Sequence, residues 1–331
     1  MKIVILSEKP SITRVIAPVI AQTWAGHDVI VLHIMGIGAY QYRMPRGLKW
    51  TSYPLVEQPK MLIHRPGHQY MPHRYTLDGW KADTSVEPIG ALKSADEIVF
   101  ACDPDHTGVM GFFITLSGAL GEDAALEKRD AIVLRSLDGE SIRHAPENMA
   151  TYPDDLQDAF RYGQTKRYFD HNFNLNSLSI MGKTLSRSGI DSNQHVLSKY
   201  GLQALYFIWR NPDLTEGMLI EKFHHWKGTG KYLNDSVMLG SSMSTAAIIG
   251  QLLNMGAIQR QDGASQSGRK IQLSPLGEEM IHNLHPDCED PDLPFRLNAW
   301  CEAGLDASHQ AMDRYLVRFF GKQKRLLDRE G

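Results

Sequence analysis

The first strand-like segment limits the fold more than any other feature. Lys2-Ile3-Val4-Ile5-Leu6-Ser7 is β-branched and almost wholly apolar. A strand with no polar side needs cover on both faces, which a parallel sheet packed between helices supplies. Asp28 to Ile34 and Glu97 to Ala101 repeat the pattern, and Ala131 to Leu134 is a shorter version of it. Between the first two runs, Ile12, Val15, Ile16, Val19 and Ile20 recur at helical spacing, with Ser11 placed to cap that helix and Pro18 to kink or shorten it. The expected architecture is α/β, a mainly parallel sheet flanked by helices.

A chain of 331 residues exceeds one ordinary core, so two domains are expected, 1–150 for the α/β part and 151–331 for a mostly helical part. Residues 35–90 are rich in Pro, Gly, Tyr, His and Met without periodicity and read as a decorated insertion; Tyr40, Tyr42 and the histidines from His64 to His73 have no assigned role. Asp154 to Ser198 reads as mostly helical. From Ser244 the order is a helix ending near Gly256, a strand at 257–260, a Gly/Ser/Gln loop, a strand at 270–273 and a helix from Pro275. That is the order of a winged-helix-like element.

Two acidic loops follow predicted strands. Glu8 comes directly after the first, and Asp103-Pro104-Asp105 comes just after the third. Ligands of open α/β sheets bind at the carboxyl ends of strands, so the loops can meet there if their strands are neighbours. Glu8, Asp103 and Asp105 offer the hard oxygen ligands that Mg²⁺, or Mn²⁺, prefers. Lys9 can neutralise a phosphate, and Ser11 can add a donor. Lys166, Arg167, Lys183 and Arg187, interleaved with Tyr162, Tyr168 and Phe173, fit a groove that follows a single strand. Ser241, Ser242, Ser244 and Thr245 stand at a predicted helix start, with Arg269 and Lys270 on the wing.

Other classes are excluded. Three scattered cysteines make neither a disulfide framework nor a paired zinc site, and fit a reducing cytoplasm. The first apolar run is far too short for a membrane span, and none is expected elsewhere. No His-Glu-x-x-His, nucleophile elbow or Walker loop occurs. With a net charge of -3, a nucleic-acid partner must be met by a local basic surface.

The motifs resemble those of type IA DNA topoisomerases, nearest the topoisomerase III branch. Ser7-Glu8-Lys9-Pro10-Ser11-Ile12 is similar to that family's first Toprim motif, and Asp103-Pro104-Asp105-His106-Thr107-Gly108 to its Asp-Pro-Asp-Arg-Glu-Gly motif. Leu134-Arg135-Ser136-Leu137 follows in order. Asp170 with Asn176 resembles the Asp-Trp-x-x-Gly-x-Asn helix, and Ser198 with Gln203 the Ser-x-Gly-Arg-Val-Gln motif. Leu214-Thr215-Glu216 and the run Ser244 to Ile249 resemble the returning arm of the DNA-binding domain. The resemblance implies a Toprim domain, Glu8 and Lys9 in catalytic positions, and nucleic-acid contacts from Lys9, Ser11, Asn176, Ser198, Gln203, Ser244 and Thr245.

The departures are equally specific. Gln203 is followed within a dozen residues by Asn211-Pro212-Asp213-Leu214-Thr215, where the family inserts its gate domains, and no Tyr-x-Arg-Thr occurs. Thr107 replaces an acid, His106 an arginine, and Ser179 and Gly201 stand where arginines are usual. Tyr200 and Tyr206 lie near the deletion point, but Tyr206 falls in the apolar run Leu205 to Trp209, which reads as core. The expectation is a reduced relative that binds single-stranded DNA, or RNA, with a protein partner supplying any gate. The alternatives are an Mg²⁺-dependent Toprim nuclease or other phosphoryl-transfer enzyme, and a topoisomerase subunit completed by a separate gate protein.

Overall fold

The computed structural model describes all residues except 9, 35–44, 60–72, 77–78, 84, 135–137, 148, 241, 262–267 and 330–331. Lys9, Tyr40, Tyr42, most of the histidine-rich stretch, 135–137, Ser241 and the wing loop therefore lie outside the described residues.

The chain divides into two compact units, Met1–Arg43 with Pro59–Thr165, and Met44–Gln58 with Lys166–Gly331. This division crosses the chain at three points, where the sequence reading places one boundary near residue 150. In the first unit Gly163 lies against Met110 and the His106 carbonyl, with no space for a Cβ. In the second, the backbone of Leu55 and Glu57 is held by Asn176 and Asn172.

The first unit is built on β1 (Lys2–Ser7), α1 (Pro10–Thr23), β2 (Asp28–His33), β3 (His73–Thr76), β4 (Gly79–Ala82), α2 (Pro88–Lys93), β5 (Glu97–Ala101), α3 (His106–Leu120), α4 (Glu122–Ala125), β6 (Arg129–Ala131), α5 (Gly139–His144) and β7 (Ala150–Tyr152). They form a seven-stranded sheet in the order β4-β3-β2-β1-β5-β6-β7. The central β2-β1-β5-β6 are parallel, as the apolar runs require. Alternate residues enter two cores: Val4, Leu6, Ile98 and Phe100 pack with Phe112 and Leu116 of α3, while Ile3, Ile5, Val29 and Val99 pack with Ile16 and Ile20 of α1.

Three sequence expectations change. Helix α1 begins at Pro10, so Ser11 sits inside its first turn instead of capping it, and Pro18 is accommodated within one helix. Pro at a first helical position gives up no intrahelical bond, which favours this start. The 35–90 insertion contributes a hairpin, β3 and β4, that extends the sheet antiparallel from β2; four-residue strands repeat the two-residue alternation too few times to stand out. The strand expected at Ala131 to Leu134 starts two residues earlier, because Arg129–Ala131 pairs with β7, and only Ile132 N still reaches Phe100 O, at 2.8 Å.

Helix α6 (Gln157–Asn176), which enters the second unit at Lys166, continues through a wide π-helical turn at Ser177–Met181 into α7 (Gly182–Arg187). The helical segment stops there, short of Ser198, because Gly189 takes a φ of 80°, which side-chain-bearing residues rarely adopt. Next come α8 (Lys199–Arg210), α9 (Glu216–His224), the short β8 (Trp226–Lys227) and β9 (Ser236–Val237), α10 (Ser242–Asn254), β10 (Ile258–Arg260), β11 (Ile271–Leu273), α11 (Pro275–His282), α12 (Leu293–Ala303) and the long α13 (Leu305–Arg329). β10 and β11 are antiparallel, and Thr215 forms an isolated bridge with Lys270. Phe169, Phe173, Trp300, Tyr315, Phe319 and Phe320 make a continuous aromatic core under α6, α12 and α13.

Candidate functional site

β1 and β5 are adjacent and in register, Ser7 opposite Ala101. Glu8 therefore leaves the same sheet edge as the Asp103-Pro104-Asp105 loop. Cys102, buried between them, donates its Sγ–H to Leu6 O at 3.4 Å. Its thiol is pushed well above the ordinary range, first by burial, then by Glu8, with further contributions from Asp103 and Asp105. Glu8, Asp103 and Asp105 all add to the rise in this thiol.

Two details set the loop's shape. Asp105 caps α3, its Oδ1 accepting from Thr107 N at 2.8 Å and Gly108 N at 2.9 Å. Gly108 is packed under Asp103, and any Cβ there would collide with the Asp103 carbonyl oxygen. His106 lies against the Tyr162 ring, centroids 4.9 Å apart.

The donor chemistry of this edge suits a hard cation, since carboxylate oxygens are what Mg²⁺ takes. The positions do not close on one: among the described residues no three His, Cys, Asp or Glu side chains stand together as a metal group. Asp105 is the acid turned away, toward the start of its helix.

Neither candidate tyrosine is primed for attack. Burial raises the Tyr200 hydroxyl well above its usual range. Burial also raises that of Tyr206, with Cys288 and Glu289 adding to it, and Tyr206 donates to His285 O at 3.2 Å. A nucleophile requires the opposite shift.

Several residues expected on a strand-facing surface are scaffold. Asn176 is 0% exposed and exchanges hydrogen bonds with Leu55, accepting from N at 2.8 Å and donating to O at 2.6 Å. Gln203 is also buried, donating to Cys288 O and accepting from Asp290 N. Ser198 caps α8, accepting from Gly201 N and donating to Gln251 Oε1. Thr245 is buried and Ser244 half-buried, both within the first turn of α10. Lys166 is bound to Asp170 at 2.8 Å, on the carboxylate that also holds Lys199 at 2.5 Å. Arg167 is half-buried. Arg269 is half-buried with its carbonyl accepting from Glu216 N, and exposed Lys270 pairs with Asp213 at 3.0 Å.

Lys183 and Arg187 do come together, one turn apart on α7 and both exposed. Lys183 Nζ lies 3.6 Å from the centroid of the Trp50 ring. Lys324 of α13 approaches the same ring at 5.3 Å and donates to Tyr53 O. Arg187 donates to Leu327 O at 2.6 Å. Trp50 is fixed by its Nε1, which donates to Asp328 at 2.8 Å. Trp50 and Lys324 went unread in the sequence, lying 274 positions apart in numbering with no shared motif. Interleaved cations and an aromatic in one cluster are the composition a single strand favours.

A comparison with protein-family models finds no match, and a comparison with curated proteins likewise finds none. Among the described residues no helix is long and apolar enough to cross a membrane.

Proposed function

We propose that this chain is a reduced relative of the type IA topoisomerases that binds single-stranded DNA and does not cleave it. The observation that carries the binding is the cation cluster on Trp50, where Lys183 and Lys324 share one ring with Arg187 a turn away. Cations held on an indole are poorly hydrated at one side and positioned in advance, so a phosphate meets them at a reduced ordering cost. The Toprim reading is supported by the adjacency of the Glu8 and Asp103 loops at one parallel-sheet edge. The winged-helix reading is supported by the order α8, the Thr215 bridge, α9, α10, β10 and β11.

Strand binding falls to the Trp50 cluster rather than to the wing. α10, the element a winged helix would present to DNA, has no Lys or Arg in Ser242–Asn254. Arg260 is tied to Glu216 and Lys270 to Asp213. Storing a cleaved strand needs a tyrosine whose hydroxyl can ionise, and burial opposes that at both nearby candidates. A separate gate protein would have to supply any strand passage.

Fluorescence anisotropy with labelled oligodeoxythymidine across a salt series tests this. Binding at low salt that weakens as salt rises is expected, as is a loss of affinity in Lys183→Ala with Lys324→Ala. Absence of binding at low salt to DNA and RNA oligonucleotides alike would overturn the reading, and relaxation of supercoiled plasmid by the chain alone would overturn its non-cleaving part.

A further inference from the structure

α13 carries Arg314, Arg318, Lys322, Arg325 and Arg329. Spacings of four, four, three and four residues put all five within an arc of about 80° and along about 22 Å of helix. The residues holding the helix to its core, Met312, Leu316, Phe319, Phe320, Gln323 and Leu327, occupy the opposite side. Four of the five cations are exposed, and Lys322 is half-buried against Asp287. Like charges three and four residues apart weaken a helix, so folding alone does not account for the stripe.

Its acids are already engaged. Of the three on α13, Asp313 accepts from Tyr168 and Asp328 from Trp50, while Asp306 sits in the first turn, where the helix dipole favours it. Beside Arg318 and Lys322 opens a cleft of about 330 Å³ whose wall also carries Asp287, Glu289, Asp290 and Arg296. Glu289 is paired with Arg210, and Asp290 with Arg296 and the Tyr315 hydroxyl. Arg296 lines the cleft and is held through its Nη2 on Asp290.

Resting on the strand-binding reading above, we propose that this stripe is a docking track for the phosphate backbone of a nucleic-acid strand. The positive field is felt locally: His285 is held below its usual range, chiefly by burial and then by Lys322, Arg325 and Arg329. A lipid surface fits less well. Amphipathic helices that lie on membranes bury an apolar wedge, and the large apolar side chain exposed on α13 is Val317.

The test compares the full chain with a variant carrying Arg314→Gln, Arg318→Gln, Arg325→Gln and Arg329→Gln, its fold checked by thermal melting. Removing exposed like charges is expected to leave the melting temperature unchanged or higher. Binding to oligodeoxythymidine should weaken about tenfold or more at low salt, and the slope of log affinity against log salt should become shallower by about 0.7 per arginine removed. A variant with only Arg318→Gln and Arg325→Gln should show half the change in slope, and serves if the fourfold variant misfolds. Unchanged slope in a variant of a chain that does bind DNA overturns the track and leaves the strand-binding reading intact. No binding by the unaltered chain overturns both. Tighter stripe-dependent binding to phosphatidylserine vesicles than to the oligonucleotide overturns the nucleic-acid assignment.

Discussion

A methyl group at position 108 has nowhere to go, because the Asp103 backbone lies where it would project and backbone cannot rotate aside. Gly108→Ala should therefore destabilise the first unit by about 1–3 kcal/mol, as overpacking does elsewhere. Asp105→Ala loses only a helix cap, about 1 kcal/mol. Thermal melting followed by circular dichroism should rank the two in that order, and the reverse order would show that the loop is not packed as described. In the second unit, burial opposes the charge of Asp170, and Lys199 with Lys166 outweighs it, holding the carboxyl below its usual range. A depressed folded pKa gives stability that is complete above the unfolded value of about 3.9 and disappears as pH falls through the folded one. Asp170→Asn should thus lower the melting temperature at neutral pH, and the gap from the unaltered chain should narrow below about pH 4. A gap that widened on acidification would reverse the assigned sign.

Two ion pairs on the β10–β11 ribbon look alike in sequence and differ in what they do for their elements. Arg260 grips Glu216 through Nε at 3.0 Å and Nη2 at 2.6 Å, and the Glu216 side chain is only 5% exposed. Lys270 meets Asp213, whose side chain is 90% exposed. Arg260→Met strands a buried carboxylate and should cost about 3 kcal/mol, whereas Lys270→Met should cost under about 1 kcal/mol and leave DNA affinity within about twofold. Denaturant melts and the anisotropy assay read the two effects separately. Continuous apolar runs were legible beforehand: Lys2–Ser7, Asp28–His33 and Glu97–Ala101 are mutually parallel strands at the centre of one mixed sheet. The β3–β4 hairpin was not, because four-residue strands show the two-residue alternation only twice, too few repeats to stand out. At the site, the acids were legible since each follows a buried strand. The burial of Asn176 and Gln203 was not, since an amide pinned to distant backbone looks in sequence like an amide facing a ligand. The stripe on α13 was present in the sequence, but its meaning depends on which side the core occupies.

At the scale of the whole chain, residues 44–58 belong to a unit whose remaining residues begin at Lys166. That segment is fixed by its backbone: Leu55 to Asn176, Glu57 to Asn172 with N–H to Oδ1 at 2.8 Å and the amide returned to the carbonyl at 3.0 Å, and Tyr53 O to Lys324. His171, 1% exposed at its side chain, meets Glu57 at 3.1 Å. Asn172 and Asn176 are both 0% exposed, so removing the segment either uncovers them to water with the core around them or leaves polar groups buried without partners, at about 1–3 kcal/mol each. A fragment of residues 166–331 should consequently melt below the corresponding transition of the full chain. A synthetic peptide of residues 44–58 added in trans should restore much of the difference, since it brings Trp50 for Lys183 and the backbone groups for the two asparagines. The same peptide with Leu55→Pro has no N–H to give Asn176 and should bind more weakly. If the fragment melts as the full chain does and ignores both peptides, the segment is a passive linker; if only the unaltered peptide rescues, the Leu55 bond to the buried Asn176 amide is part of what joins these distant parts of the chain into one unit.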